Sequence, residues 1–132
     1  MKKDIDDKKD IELLVNEFYN KVKIDDEIGY IFTDIVKVNW EKHLPVMYNF
    51  WENTLFYTGT YEGNPMELHK HLHHLLPLTP AHFARWNYLF TKTVDELFEG
   101  RTTELAKQKA ISISTVMQIK IFKEDTLTDK IF

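Results

Sequence analysis

Five of the six histidines in this 132-residue chain fall between residues 69 and 82. Four stand in the run His69-Lys-His71-Leu-His73-His74, and the fifth is His82. The sixth, His43, lies just after Trp40 and ahead of Phe50-Trp51. Tyr19 and Trp86 occupy two further periodic segments. A neutral imidazole can ligate a metal through one ring nitrogen while the other donates to a carbonyl that fixes the tautomer. Imidazoles set against bulky aromatics in an all-helical frame suit a flat, apolar, metal-bearing ligand. Haem is the first candidate.

Each of these residues also has an ordinary structural reading. His69 and His73 could be surface residues on an exposed amphipathic turn. His43 could be half-buried with its hydrogen bond satisfied. Trp86, between Phe83 and Phe90, reads by default as core, and Tyr19 as the edge of an apolar stripe. A zinc reading also exists, because His69 and His73 are an i, i+4 pair and Glu62 or Glu67 could add a carboxylate. No complete zinc motif accompanies them, however, and Glu67 is not in an H-E-x-x-H setting. The chain has no nucleophile elbow, phosphate loop or matched carboxylate pair, so hydrolase chemistry has no support.

Bulk composition narrows the field. The length suits one domain with a real core. Apolar residues make up 43% and aromatics 14%. Cysteine is absent, which excludes disulfides, thiolate-held zinc and iron–sulfur clusters and accords with a reducing, cytoplasmic setting. The formal charge is −4 and the basic residues are scattered, which argues against nucleic acid. No apolar run is long enough for a membrane span. Residues 1–9 lack the apolar core of a signal peptide and read as a frayed, charged N-terminal tail.

The elements that must position the candidates read as helices. Ile11, Leu14, Val15, Phe18 and Val22 define one over about 10–23, with Asp10 as N-cap. Ile28, Ile31, Phe32 and Ile35 are spaced for a short helix, weakened by Gly29. A third runs over about 39–57, with His43, Met47, Phe50, Trp51 and Thr54 on one face. Asn39 is its expected cap, and Pro45 is expected to kink it or delay its onset. Asn64-Pro65 opens a short helix to about 73 that carries His69, Met66, Leu72 and His73 on one face. Thr79-Pro80 opens the next, to Glu99, stopped by Gly100, with Phe83, Trp86, Phe90, Val94 and Leu97 inward. Thr102 or Thr103 is expected to cap the last helix, about 103–122, with Leu105, Ala106, Ile113, Val116, Met117 and Ile121 inward. Residues 123–132 form a weakly patterned tail. The expectation is one all-α domain over 1–132.

Four segments together resemble a known family. Val15-Asn-Glu-Phe-Tyr19-Asn-Lys-Val resembles the second helix of group III truncated globins, with its Phe-Tyr pair. Asn39-Trp-Glu-Lys-His43, followed by Asn49-Phe-Trp51, resembles their distal helix. Gly63-Asn-Pro-Met-Glu-Leu-His69-Lys-His-Leu72 resembles their proximal segment. Leu78-Thr-Pro-Ala-His-Phe83-Ala-Arg-Trp86-Asn-Tyr-Leu-Phe90 is similar to their next helix. The likeness covers roughly residues 11–122, in the right order.

The resemblance implies a two-over-two helical sandwich around one haem b. By it, His69 is the proximal iron ligand, with His73 as its rival. Tyr19 is the distal hydroxyl, Trp86 offers an indole N–H or walls the pocket, and His43 stands at the distal gate. Phe18, Phe32, Met47, Phe50, Trp51, Leu72 and Phe83 line the cavity. The partners implied are dioxygen and other small diatomic ligands, with an unidentified electron donor, on a monomer or weak dimer. A preorganised hydroxyl donor strengthens dioxygen binding and slows release. That favours chemistry on the ligand, such as nitric oxide dioxygenation or peroxide reduction, over bulk oxygen transport. A cofactor-free helical interaction domain remains the alternative of a different class.

Overall fold

A computed structural model describes residues 2–35, 37–58 and 78–131, with side chains as far as Lys120. Among these described residues are four α-helices: α1 (Lys8–Lys23), α2 (Trp40–Phe56), α3 (Pro80–Leu97) and α4 (Arg101–Ile131). A π-helical turn, Ile31–Ile35, stands between α1 and α2. α1 packs on α2 and α3, and α4 packs on α3 and α2. Two helix pairs, α1/α2 and α3/α4, therefore lie against each other as the expected all-α sandwich. No strand occurs among the described residues. The expected short helix from Asn64 to about 73 lies outside them.

The apolar stripe of α1 goes inward as its spacing dictates. Ile11, Leu14, Val15, Phe18, Tyr19 and Val22 are all buried. The helix starts earlier than expected, because Asp7, not Asp10, is the N-cap. The Asp10 N–H donates to Asp7 Oδ1 at 3.0 Å. Gly29 is required where the chain turns toward the π-helical segment. A Cβ there would meet the backbone oxygens of Val22 and Lys23 at 2.9 Å. Of the four residues spaced for a short helix, Ile28 and Ile31 are buried, whereas Ile35 is 40% exposed.

On α2, Trp51 and Leu55 are the fully buried residues, with Met47 and Phe50 half-buried beside them. Pro45 does not delay its onset; the helix begins ahead of it, at Trp40. Glu41 and Pro45 are both exposed, so water can serve the carbonyl left without a donor. Thr79 caps α3 with a capping box in which His82 takes the usual Glu or Gln place. Thr79 Oγ1 accepts from the His82 N–H at 3.3 Å, and the Thr79 N–H donates to His82 Nδ1 at 3.1 Å. One histidine of the cluster thereby serves as the N3 partner of a capping box. α3 ends at Leu97, earlier than expected, because the chain leaves the helix there and seats Phe98 in the core.

Two further expectations are corrected at the start of α4. Neither Thr102 nor Thr103 caps it, and residues 2–9 are packed against the rest of the fold rather than frayed. Ile5 is buried in the core, and the Lys3 carbonyl accepts from the Glu99 N–H at 2.9 Å. Asp4 supplies the cap. Its Oδ2 accepts from the Thr102 N–H at 2.9 Å, and its Oδ1 accepts from the Thr103 N–H and hydroxyl, each at 2.8 Å. Gly100 makes room for that carboxylate. It has φ +143°, and a Cβ would come within 2.5 Å of the Asp4 side chain. α4 then runs past residue 122 because no Gly or Pro interrupts 101–131. Val116, expected inward, is 46% exposed, whereas Thr103, Ala106, Ala110, Ser114 and Met117 are buried.

The caps predict acid sensitivity. Burial works against the Asp4 charge, but the bonds from Thr102 and Thr103 outweigh it and hold the carboxyl below its usual range. Asp25 is held low chiefly by the Arg85 guanidinium, whose Nη2 donates to it at 2.6 Å. Folded values below unfolded ones give stability that is complete above an ordinary carboxylate pKa of about 4. It is lost as pH falls through the depressed folded values. Thermal unfolding followed by circular dichroism should show Tm falling steeply below about pH 4. An Asp4→Asn/Asp25→Asn variant should start lower and lose less with acid. Equal acid slopes would contradict the assignment.

Candidate functional site

Tyr19 follows Val15 by one helical turn, at the edge of the α1 stripe, and its ring is 7% exposed. His43 lies in the first turns of α2, half-buried. The packing of α1 on α2 brings the two together, with His43 Nε2 3.3 Å from the Tyr19 hydroxyl. The donor of this contact is set by the imidazole tautomer. If His43 carries its proton on Nε2, it donates to the phenol oxygen and leaves the phenol hydrogen free for a third group.

Aromatic rings enclose this polar pair. Around Tyr19 stand Phe18 at 4.9 Å, Trp40 at 5.2 Å, His43 at 5.4 Å and Phe32 at 6.5 Å between centroids. Phe18 then meets Trp86 edge-on at 5.3 Å. Trp86 stacks on Phe90 at 5.6 Å, and Phe90 stacks on Trp51 at 4.7 Å. A continuous run of rings thus crosses from α2 through α3 to α1 and back to α2. Offset and edge-on arrangements of this kind fix ring orientation as well as burying area. Burial pushes the Tyr19 phenol above its ordinary pKa, so it stays a neutral O–H donor near neutral pH.

Of the residues singled out in the sequence, the structure brings Tyr19, His43, Phe18, Phe32 and Trp86 into this one network. Trp51 joins it from the core side through Phe90. Phe50 packs edge-on against Trp51 at 5.4 Å. Met47 is half-buried on α2, and Phe83 is buried on α3. His69, Leu72 and His73, with His71 and His74, lie outside the described residues, as do Glu62 and Glu67.

Two members of the network were not singled out as site residues. Trp40 touches Tyr19 and His43 and carries the Lys23 ammonium over its ring at 4.5 Å. Its signal in the sequence is its place three residues before His43, on the same helical face. Phe90 joins Trp86 to Trp51, and its spacing on α3 marked it only as core. Among the described residues, the one group of three close metal-capable side chains is Asp6, Asp7 and Asp10. It contains no histidine, and Lys3 pairs with Asp6 at 2.9 Å and with Asp10 at 2.6 Å.

A two-over-two helical frame with a buried tyrosine and a histidine inside an aromatic wall can be set beside known proteins. A family model described as bacterial-like globin matches residues 3–122. The chain belongs to the bacterial-like globin family. The group 3 truncated hemoglobin of Campylobacter jejuni is 29% identical over 116 residues, which is 86% of this chain and 89% of its own length. The crystal structure of group III truncated hemoglobin from the same organism aligns with a TM-score of 0.81 at 27% identity. That alignment covers 94% of this chain and 98% of the other. The group III truncated globin resemblance carried by four segments therefore extends over most of this globin. No helix among the described residues is long and apolar enough to cross a membrane.

Proposed function

We propose that this globin holds one haem b on His69 and binds dioxygen and other diatomic ligands beneath Tyr19, His43 and Trp86. The bound ligand serves redox chemistry, nitric oxide or peroxide detoxification, rather than bulk oxygen delivery. The observation that carries the reading is the buried Tyr19 hydroxyl, paired with His43 and otherwise surrounded by rings. Family membership favours haem over a cofactor-free interaction domain and over a histidine-based zinc site.

The residues present fit such a group. Phe32, Met47, Phe50 and Trp86 are large and apolar, pack against the core and yet are only half-buried, so a flat apolar molecule can cover what they expose. Tyr19, His43 and Trp86 carry O–H and N–H groups, the donor chemistry that a diatomic ligand with a partly negative end requires. When bound, haem supplies an iron that takes diatomic ligands and exchanges electrons with them. His69, or His73 in its place, would hold the group through one imidazole nitrogen, and a hydrogen bond from the other nitrogen would fix the tautomer. Tyr19 holds the ligand by a hydrogen bond, and the surrounding rings exclude water and strengthen that bond. Slow release follows, which suits reaction in place. The electron donor is a separate partner, since the sequence carries no flavin or nicotinamide motif of its own.

Stopped-flow mixing of the dioxygen-loaded ferrous protein with nitric oxide tests the function. We expect rapid oxidation to the ferric form with one nitrate formed per haem. Oxidation without nitrate, or dioxygen release fast enough for delivery, would return the reading to a carrier or sensor.

A further inference from the structure

The first turn of α2 has a weakness at the place where the site needs order. Asn39 occupies its N-cap position, yet the Asn39 side chain makes no capping hydrogen bond. Just before it, Lys37 adopts a left-handed backbone with φ 53°, which a non-glycine residue holds at some cost. His43 lies within this turn's reach, and its 3.3 Å approach to Tyr19 is near the long limit for a hydrogen bond. A small rotation of the helix start would break it. Something other than the cap must hold it.

Trp40, the first residue of α2, is placed to do so. Its ring lies 5.2 Å from Tyr19, 5.9 Å from His43 and 6.4 Å from Phe32. The Lys23 ammonium stands over the same indole at 4.5 Å, within cation–π range. Tyr19 and Lys23 are one turn apart on α1, so α1 grips the indole at two levels of one face. Trp40 and His43 are three apart on α2, so the gripped residue and the imidazole share a face there too.

We propose that Trp40, clamped by Lys23, is a positioning residue for the distal pair. It ties the start of α2 to α1 so that His43 reaches the Tyr19 hydroxyl, and it thereby sets the donor geometry offered to the ligand. The proposal rests on the reading that Tyr19 and His43 face a haem-bound ligand.

The test uses the full-length haem-loaded protein with Trp40→Leu, Trp40→Phe and Lys23→Met. Infrared spectra of the ferrous carbon monoxide complex report the donor geometry, and stopped-flow gives the dioxygen off-rate. Trp40→Leu should shift or split the carbon monoxide band and speed dioxygen release by about three- to tenfold. Trp40→Phe keeps a ring for Lys23 and should restore most of the wild-type band. Lys23→Met, at a half-exposed position, should speed release by about two- to threefold, with less effect at high salt. A wild-type band and off-rate in Trp40→Leu with a normal Soret band overturns the proposal alone. If Trp40→Leu fails to fold, an unchanged band in Lys23→Met overturns it. Failure of the wild-type protein itself to take up haem overturns this proposal and the functional reading together.

Discussion

The His69→Ala variant is expected to lose five-coordinate ferrous haem and most of its haem retention, while His71→Ala and His74→Ala keep both. The reason is register. Asn64-Pro65 predicts a helix start, and the three-residue spacing of His69 and Leu72 predicts that they share one face of it. The same spacing predicts His71 and His74 off that face. An axial imidazole is a covalent anchor, so its loss removes far more than any wall contact contributes. Absorption spectra of the reconstituted variants check this. Loss of the axial ligand in His73→Ala, with His69→Ala normal, would move the proximal role one turn along the chain.

The second large effect is expected at Tyr19. Tyr19→Phe keeps the ring and its contacts with Phe18, Trp40 and Phe32 and removes only the hydroxyl. A charge-assisted hydrogen bond contributes roughly 1.5–3 kcal/mol. At about 1.4 kcal/mol per decade, its loss should speed dioxygen dissociation by about tenfold or more. Because burial keeps the phenol neutral, this slow release should hold from about pH 7 to pH 10 without a tyrosine titration. Trp86→Phe should also change the rate, but the two effects will not add, since Trp86 and Tyr19 both pack on Phe18. An unchanged off-rate in Tyr19→Phe would transfer the main donor role to His43 or Trp86.

How far such a site can be read in advance depends on the range of the interactions that build it. The α1 stripe is local, set by a 3.6-residue period, and every residue assigned to it is buried. The Thr79-Pro80 start of α3 is local as well, and it forms as a cap followed by proline. Tyr19 reads as a stripe edge and His43 as a half-buried residue on another helix's face; the family resemblance sets both on the distal side, but only the packing of α1 on α2 makes them a pair. Trp40 is harder still, because a tryptophan at a helix start has no partner within its own segment. Its function depends on Tyr19 and Lys23, which arrive from another helix. Asp4 is the extreme case. Its partners, Thr102 and Thr103, are almost a chain length away, so a charged N-terminus looks like a loose end while in fact capping α4. The misplacement of Val116 has a different cause. A helix that buries small residues such as Ala106 and Ala110 against its neighbour can leave a β-branched residue outside. Apolar character alone then assigns the wrong face.

The buried tyrosine and histidine are proposed to belong to a haem site. Titration of the purified full-length protein with haem, followed by its absorption spectrum, tests this most directly. A Soret band is expected to grow to an end point at one haem per chain and, after reduction, to give way to the spectrum of a five-coordinate ferrous haem with one histidine. No Soret band at one equivalent of haem would contradict it.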